Sequence, residues 1–243
     1  MSIDYRRNYY MVVDTETCGE LEAPLTYDIG FLVVDSKGNI YERRSYIVPE
    51  IFYGEADLMN TAYYHEKLPQ YYKGALNGNE WEIKPFFAIR REMLQMAEDY
   101  RVKAFCAYNA PFDFYRALNN TMRHLLKKEK AYFFPYGTQF FDIWHMACAS
   151  ILCRKGYDKM AYENEWVSEK GNVRTNAEKA FAYLSGNTEY EERHTALADC
   201  EIEAQILVKC LPLCKDNREI VYNPWRIPQP PFKEYVAKKE GRA

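Results

Sequence analysis

The sequence predicts an α/β domain in which a mixed sheet is flanked by helices. Three observations carry this. Strand-like runs crowd the first 48 residues, helical periodicity dominates the second half, and short buried strands alternate with helices between them. With 243 residues, 48% of them hydrophobic and 28% charged, the chain can bury a sizeable core. It reads as one domain, residues 1–221, carrying an irregular insertion over about 49–85 and followed by an extended Pro-rich segment, 222–243.

In order along the chain, "NYYMVVD", "YDIGFLVVD" and "IYERRSYIV" read as strands, and the turn residues "SKGN" join the last two into an antiparallel meander. Residues 49–85 lose periodicity and gather Tyr, Gly and Asn, which predicts at most short helices. Phe86, Phe87, Ile89, Met93, Leu94 and Ala97 then trace one helical face, and "VKAFCAY" follows as a buried strand. "APFDFYRALNNTMRHLL" is a helix with Pro111 in its first turn, where the missing N–H costs nothing. A strand at "QFFD", a helix "IWHMACASILC", a polar stretch from Arg154 to Asn176, and helices at "AEKAFAYLSG" and "TALADCEIEAQILVKC" complete the body. Pro224, Pro228, Pro230 and Pro231 make the last segment extended, and Trp225, Phe232 and Tyr235 give it anchors for the body or for a protein partner.

Composition narrows the function. A net charge of -3 argues against a protein that coats duplex nucleic acid, because such binding rests on clustered Lys and Arg. With 22 Tyr and 13 Phe the chain has rings available for stacking surfaces. Seven Cys is an odd count with no CxxC pair, which reads as buried thiols in a reducing, cytoplasmic setting; Cys210 and Cys214 read as packing residues rather than half of a zinc site. No run approaches the ~20 apolar residues of a membrane span, so no membrane partner is expected.

The chemistry-bearing residues fall in three places. In "VVDTETC" strand alternation puts Tyr10, Val12, Asp14 and Glu16 on one face, with the acids about 6.5 Å apart along the backbone. Such a pair is a solvated strand end or half of a metal site. Asp113 lies in the first turn of its helix, where it either satisfies free N–H groups or projects from the same sheet edge. Asp199 stands at helical spacing from Ile202 and Ile206, where a carboxylate without a partner carries a desolvation penalty that a cation would offset. His194, five residues earlier, would be about 140° around a continuous helix, so it belongs on the loop entering that helix.

Taken together, "DTE", "NAPFDFYRAL" and "HTALAD", in this order, resemble the DnaQ-like DEDDh family of 3'-to-5' exonucleases over most of the chain, from Asp14 to about Cys210. The matching residues are Asp14 and Glu16 of a DxE motif, Asn109, Phe112, Asp113 and Leu118 of NxxFDxxxL, and His194 and Asp199 of HxxxxD. The resemblance implies a ribonuclease H-like fold with a mixed five-stranded sheet. It also implies two Mg²⁺ or Mn²⁺ ions held by Asp14, Glu16, Asp113 and Asp199, with His194 as general base. Thr15 and Thr17 would meet the terminal nucleotide, and Asn109 belongs to the same substrate-facing motif. Phe112 would stack on a base or pack in the core.

The expected substrate is the 3' end of single-stranded DNA, with single-stranded RNA and an exoribonuclease as the runner-up. A non-catalytic nucleic-acid or polymerase accessory module is the reading from a different class. The Tyr-rich insertion either shapes a strand groove or packs over the sheet edge.

Overall fold

The computed structural model describes residues 3–77, 80–169, 171–216 and 218–220. Three long strands form the meander expected from the sequence: β1 (Tyr9–Cys18), β2 (Leu25–Asp35) and β3 (Ile40–Ile47), each antiparallel to the next. β1 does not stop at Asp14. It runs through both acids, because Asp14 and Glu16 pair across to Gly30 and Asp28, and its register shifts only after Glu16. The expected strand end is thus strand interior.

Residues 49–85 depart most from expectation. They hold two one-turn helices, α1 (Pro49–Phe52) and α2 (Ala56–Met59), a 3-10 turn (His65–Lys67), a full helix α3 (Leu68–Asn77) and a strand β4 (Glu82–Ile83). β4 pairs in parallel with β3, and this adds a strand to the five expected. α4 (Phe86–Asp99) then crosses the sheet to β5 (Phe105–Ala107), which lies parallel to β1. A π-helical segment (Pro111–Ala117) leads into α5 (Leu118–Leu126), and β6 (Phe140–Asp142) closes the far edge beside β5. The sheet has six strands in the order β4-β3-β2-β1-β5-β6.

Next come α6 (Ile143–Ser150), α7 (Lys155–Glu163), α8 (Ala177–Ser185) and α9 (Ala196–Cys210). α7 lies inside the stretch read as polar. It buries Tyr157, Ala161 and Tyr162 between charged residues, a stripe too thin to stand out in sequence.

The period of two along β1 sorts its side chains into two cores. Tyr9, Met11 and Val13 join Ile29, Phe31, Ile89 and Met93 on one face. Tyr10 and Val12 join Leu32, Val34, Met146, Ala204 and Ile206 on the other, under α6 and α9. Six cysteines are buried and Cys153 is half-buried, and all seven are free, Cys210 and Cys214 among them. Among the described residues no helix is long and apolar enough to cross a membrane. The Pro-rich 222–243 segment lies outside the described residues.

Candidate active site

Asp14 and Glu16 share the face of β1 that α9 covers, and one glycine sets how closely α9 can approach. Gly30 on β2 sits directly across from Asp14, and a Cβ there would stand 2.3 Å from both the Ala196 carbonyl carbon and the Leu197 nitrogen. Only a residue without a side chain lets the first turn of α9 lie on the sheet at this point. Asp199, in that first turn, is thereby brought to the strand acids. Ligand oxygens of Asp14, Glu16 and Asp199 lie within 4.8 Å of one another. Asp113 joins from the π-helical segment, where the Thr15 hydroxyl donates to its Oδ1 at 2.7 Å. Three of the expected carboxylates therefore meet on β1, and the fourth, Asp113, is tied to Thr15 between the two strand acids.

A fifth acid stands behind them. Glu203, one helical turn after Asp199 on α9, is buried and accepts a hydrogen bond from the Tyr108 backbone N–H at 3.2 Å. Burial, then the like charges of Asp113, Glu203 and Asp199, pushes Asp14 well above the usual carboxylate range. Glu16 is raised well above it too, by burial and then by Asp199 and Asp28, with Lys67 offsetting part. Burial raises Asp113 to about 7 against the Thr15 hydrogen bond, and raises Asp199 to about 8 with Glu192 adding to it. Asp199 Oδ1 is buried without a hydrogen-bond partner. An all-oxygen donor set with an orphaned buried oxygen and strong mutual repulsion fits hard divalent cations such as Mg²⁺ or Mn²⁺.

His194 stands on the loop just before α9, in the left-handed backbone region at φ 52°. Its ring stacks on Tyr64, with centroids 3.8 Å apart and planes 13° from parallel, and its Nδ1 is 3.7 Å from a Glu192 carboxylate oxygen. Glu178, Glu192 and His194 form a second group of ligand-type atoms within 4.8 Å. Burial, then the nearby Lys67 ammonium, lowers the imidazole pKa, so the ring is neutral at neutral pH.

The insertion holds this loop. Lys67 Nζ donates to the Arg193 carbonyl at 2.7 Å, and the Tyr71 hydroxyl reaches the His194 carbonyl at 3.4 Å. The buried Asp28 carboxylate gathers the rest, accepting from Tyr71 at 2.9 Å, from the Ala196 N–H at 3.1 Å and from the Trp81 indole N–H at 3.3 Å. The aromatics of 49–85 thus pack over the sheet edge and also touch the His194 loop.

Of the residues expected to meet substrate, Thr15 is buried with its hydroxyl on Asp113, and Thr17 is half-buried just past the register shift. Phe112 is half-buried. Asn109 is exposed at φ 66°, a conformation Asn tolerates well, and its carbonyl accepts from the Phe112 N–H at 2.8 Å to start the turn that carries Asp113. Sequence reasoning missed Glu203, Gly30, Asp28 and Tyr64. An acid on the apolar stripe of "DCEIEAQIL", a glycine inside a strand, and a lone acid in "TYDIGFLVV" were the signals for the first three. Nothing local marked Tyr64.

No protein-family model matches the chain, and no curated protein matches it either. Solved structures do. One is described as 3'-end specific recognition of histone mRNA stem-loop by 3'-exonuclease; it is 14% identical with a TM-score of 0.54, and the match covers 88% of this chain and 85% of that one. Another is the structure of E. coli exonuclease I in complex with a 5cy-dT13 oligonucleotide, 10% identical with a TM-score of 0.47, covering 85% of this chain and 41% of that one. The first likeness is one of fold: the chain is an α/β protein of the ribonuclease H-like class, with a six-stranded mixed sheet between helices.

Proposed function

We propose that this chain is a metal-dependent 3'-to-5' exonuclease of the DEDDh type, hydrolysing phosphodiester bonds at single-stranded DNA ends and releasing nucleoside monophosphates. The observation that carries the reading is the convergence of Asp14, Glu16 and Asp199 within 4.8 Å, with Asp113 hydrogen-bonded to the residue between the strand acids. Residues 1–221 are the catalytic domain in this reading, with 49–85 as its insertion and 222–243 as an appended segment, suited to a protein partner.

Asp14, Glu16, Asp113 and Asp199 would hold two divalent cations, whose contribution when bound is to stabilise charge on the attacking and leaving oxygens of an in-line displacement. Thr15 fixes the Asp113 carboxylate through its hydroxyl. His194, neutral through burial and the Lys67 charge, takes the proton of the attacking water at a ring nitrogen, a role suited to a group that titrates below neutrality. Tyr64 holds the imidazole in place by stacking on it. Thr17, Phe112 and Asn109 line the approach of the terminal nucleotide.

A second reading, exoribonuclease, is favoured by the structural neighbour whose description is of a 3'-exonuclease on an mRNA stem-loop. A time course on DNA and RNA single strands, labelled at either end, with Mg²⁺ or Mn²⁺ tests both. Monophosphates should appear from the 3' end, with activity at least about 10²-fold lower in His194→Ala and undetectable in Asp14→Ala. Cleavage that survives in Asp14→Ala refutes the assigned site. Binding without cleavage by the native chain favours an accessory module.

A further inference from the structure

A second surface lies on the helix that carries Asp113. One residue beyond that acid the chain already lines a different cavity, of about 470 Å³, to which Phe114 and Tyr115 contribute. Its floor is a packed trio of rings, with Phe114, Phe134 and Phe140 centroids 4.9 to 5.2 Å apart. Three tyrosines stand at its rim and face solvent: Tyr115 is 41% exposed, Tyr132 61% and Tyr136 fully. Exposed aromatics gathered round one cavity keep apolar surface in water that burial against a partner would remove, which marks an interaction site.

The display is built. Tyr136 sits at the tip of a turn in which the Thr138 N–H donates to the Pro135 carbonyl at 3.3 Å and Gly137 takes φ 84°. A residue with a side chain would be strained there, so the glycine is what lets the chain turn at this tip.

Charge selects the occupant. The chain as a whole is at -3, yet residues 115–138 carry five Lys or Arg and a single acid, Glu129. Arg123 lines the cavity with its guanidinium 5.8 Å from the Tyr132 ring, and Arg116, Lys127, Lys128 and Lys130 are exposed on the same stretch of chain, between the cavity residues Tyr115 and Tyr132. The Pro-rich segment of this chain suits the cavity poorly, since residues 222–243 hold five Lys or Arg against two Glu and would repel the patch. A ligand that is flat, aromatic and anionic fits both halves of the surface.

From this we infer that the 115–138 surface binds an unpaired nucleotide of a single strand. A base stacks on Tyr132 or Tyr136, and the adjoining phosphates lie against Arg123 and the lysines, away from the nucleotide being hydrolysed. Stacking on tyrosine is indifferent to sequence and to the sugar, so DNA and RNA strands both fit. The inference deepens the exonuclease reading and rests on it only for which end of the strand reaches the carboxylates.

The test is fluorescence anisotropy with 5'-labelled oligo-dT and oligo-U strands of about 20 nucleotides, longer than one small binding fold covers, in metal-free buffer. The proteins are the native chain, Tyr132→Ala/Tyr136→Ala and Lys127→Glu/Lys128→Glu. All four positions are exposed, so the variants should fold, and hydrolysis of thymidine 5'-monophosphate p-nitrophenyl ester with Mn²⁺ reports the carboxylate site separately. Expected are about tenfold or weaker strand binding in the tyrosine variant, a salt slope shallower by roughly 1.4 in the lysine variant, and ester hydrolysis within about twofold of native in both. Native strand affinity in both variants overturns the inference. So does an acidic peptide that binds the native chain but not the tyrosine variant while strand binding is unaltered, since that outcome assigns the surface to a protein partner. Strand binding that falls as expected while the native chain hydrolyses neither ester nor strand overturns the exonuclease reading and leaves this surface standing.

Discussion

At Asp199 two costs meet: the carboxylate is buried with one oxygen unpartnered, and like charges surround it. Its pKa near 8 and that of Asp113 near 7 both lie above the ordinary 3.8. A carboxyl raised in the folded state contributes stability fully below its unfolded pKa and loses it as pH rises to the folded value. The metal-free protein should therefore lose stability between about pH 4 and pH 8, each such carboxyl contributing a slope of up to about 1.4 kcal/mol per pH unit. Thermal melts in EDTA at pH 5 and pH 8 measure this. Millimolar Mg²⁺ should raise Tm most at pH 8 and flatten the dependence, because a ligand bound only by the folded state stabilises it. Asp14→Asn should raise the metal-free Tm at pH 8 and diminish the gain from Mg²⁺. A flat metal-free profile would contradict the repulsion inferred at this cluster.

Among elements, the contact of β2 with the start of α9 decides whether the cluster forms. A methyl at position 30 would overlap the Ala196–Leu197 backbone, which has no side chain to swing away. Gly30→Ala is expected to cost about 1–3 kcal/mol, a fall of several degrees in Tm for a chain of this size, and to weaken Mg²⁺ stabilisation by lifting Asp199 away from Asp14. Differential scanning fluorimetry with and without Mg²⁺ separates the two effects. The long strands and α9 were legible because their apolar periodicity is their own. β1 was read too short because Asp14 and Glu16 look like a strand end until their partners Gly30 and Asp28 are known. α3 and β4 were hidden for a related reason: they are held by Tyr71 and Trp81 on Asp28 and by pairing to β3, which local sequence does not display.

Across the whole molecule, the four carboxylates were legible as three separated motifs, and the structure gathers Asp14, Glu16 and Asp199 within 4.8 Å with Asp113 hydrogen-bonded to Thr15 between the strand acids. What surrounds them was not legible. Glu203, Asp28 and the ring stacked on His194 depend on contacts between residues 43 to 168 positions apart, such as Tyr71 with Asp28 and Ala196 with Asp28. The net charge of -3 likewise concealed the local excess of Lys and Arg in residues 115–138, because the average of a chain says nothing about where its charges lie.

The lashing of the His194 loop to 49–85, through Lys67, Tyr71 and the Tyr64 ring, has a thermal consequence. Asp14 and Glu16 sit on the long strand β1 and Asp199 on α9 packed against it, whereas the loop is held by side chains of a 3-10 turn and of α3, local elements outside the sheet that can open before it does. On warming, His194, the proposed proton acceptor, should be set adrift while the carboxylates remain assembled. Hydrolysis should then fade several degrees below the melting of the sheet, with Mg²⁺ stabilisation still intact in that interval.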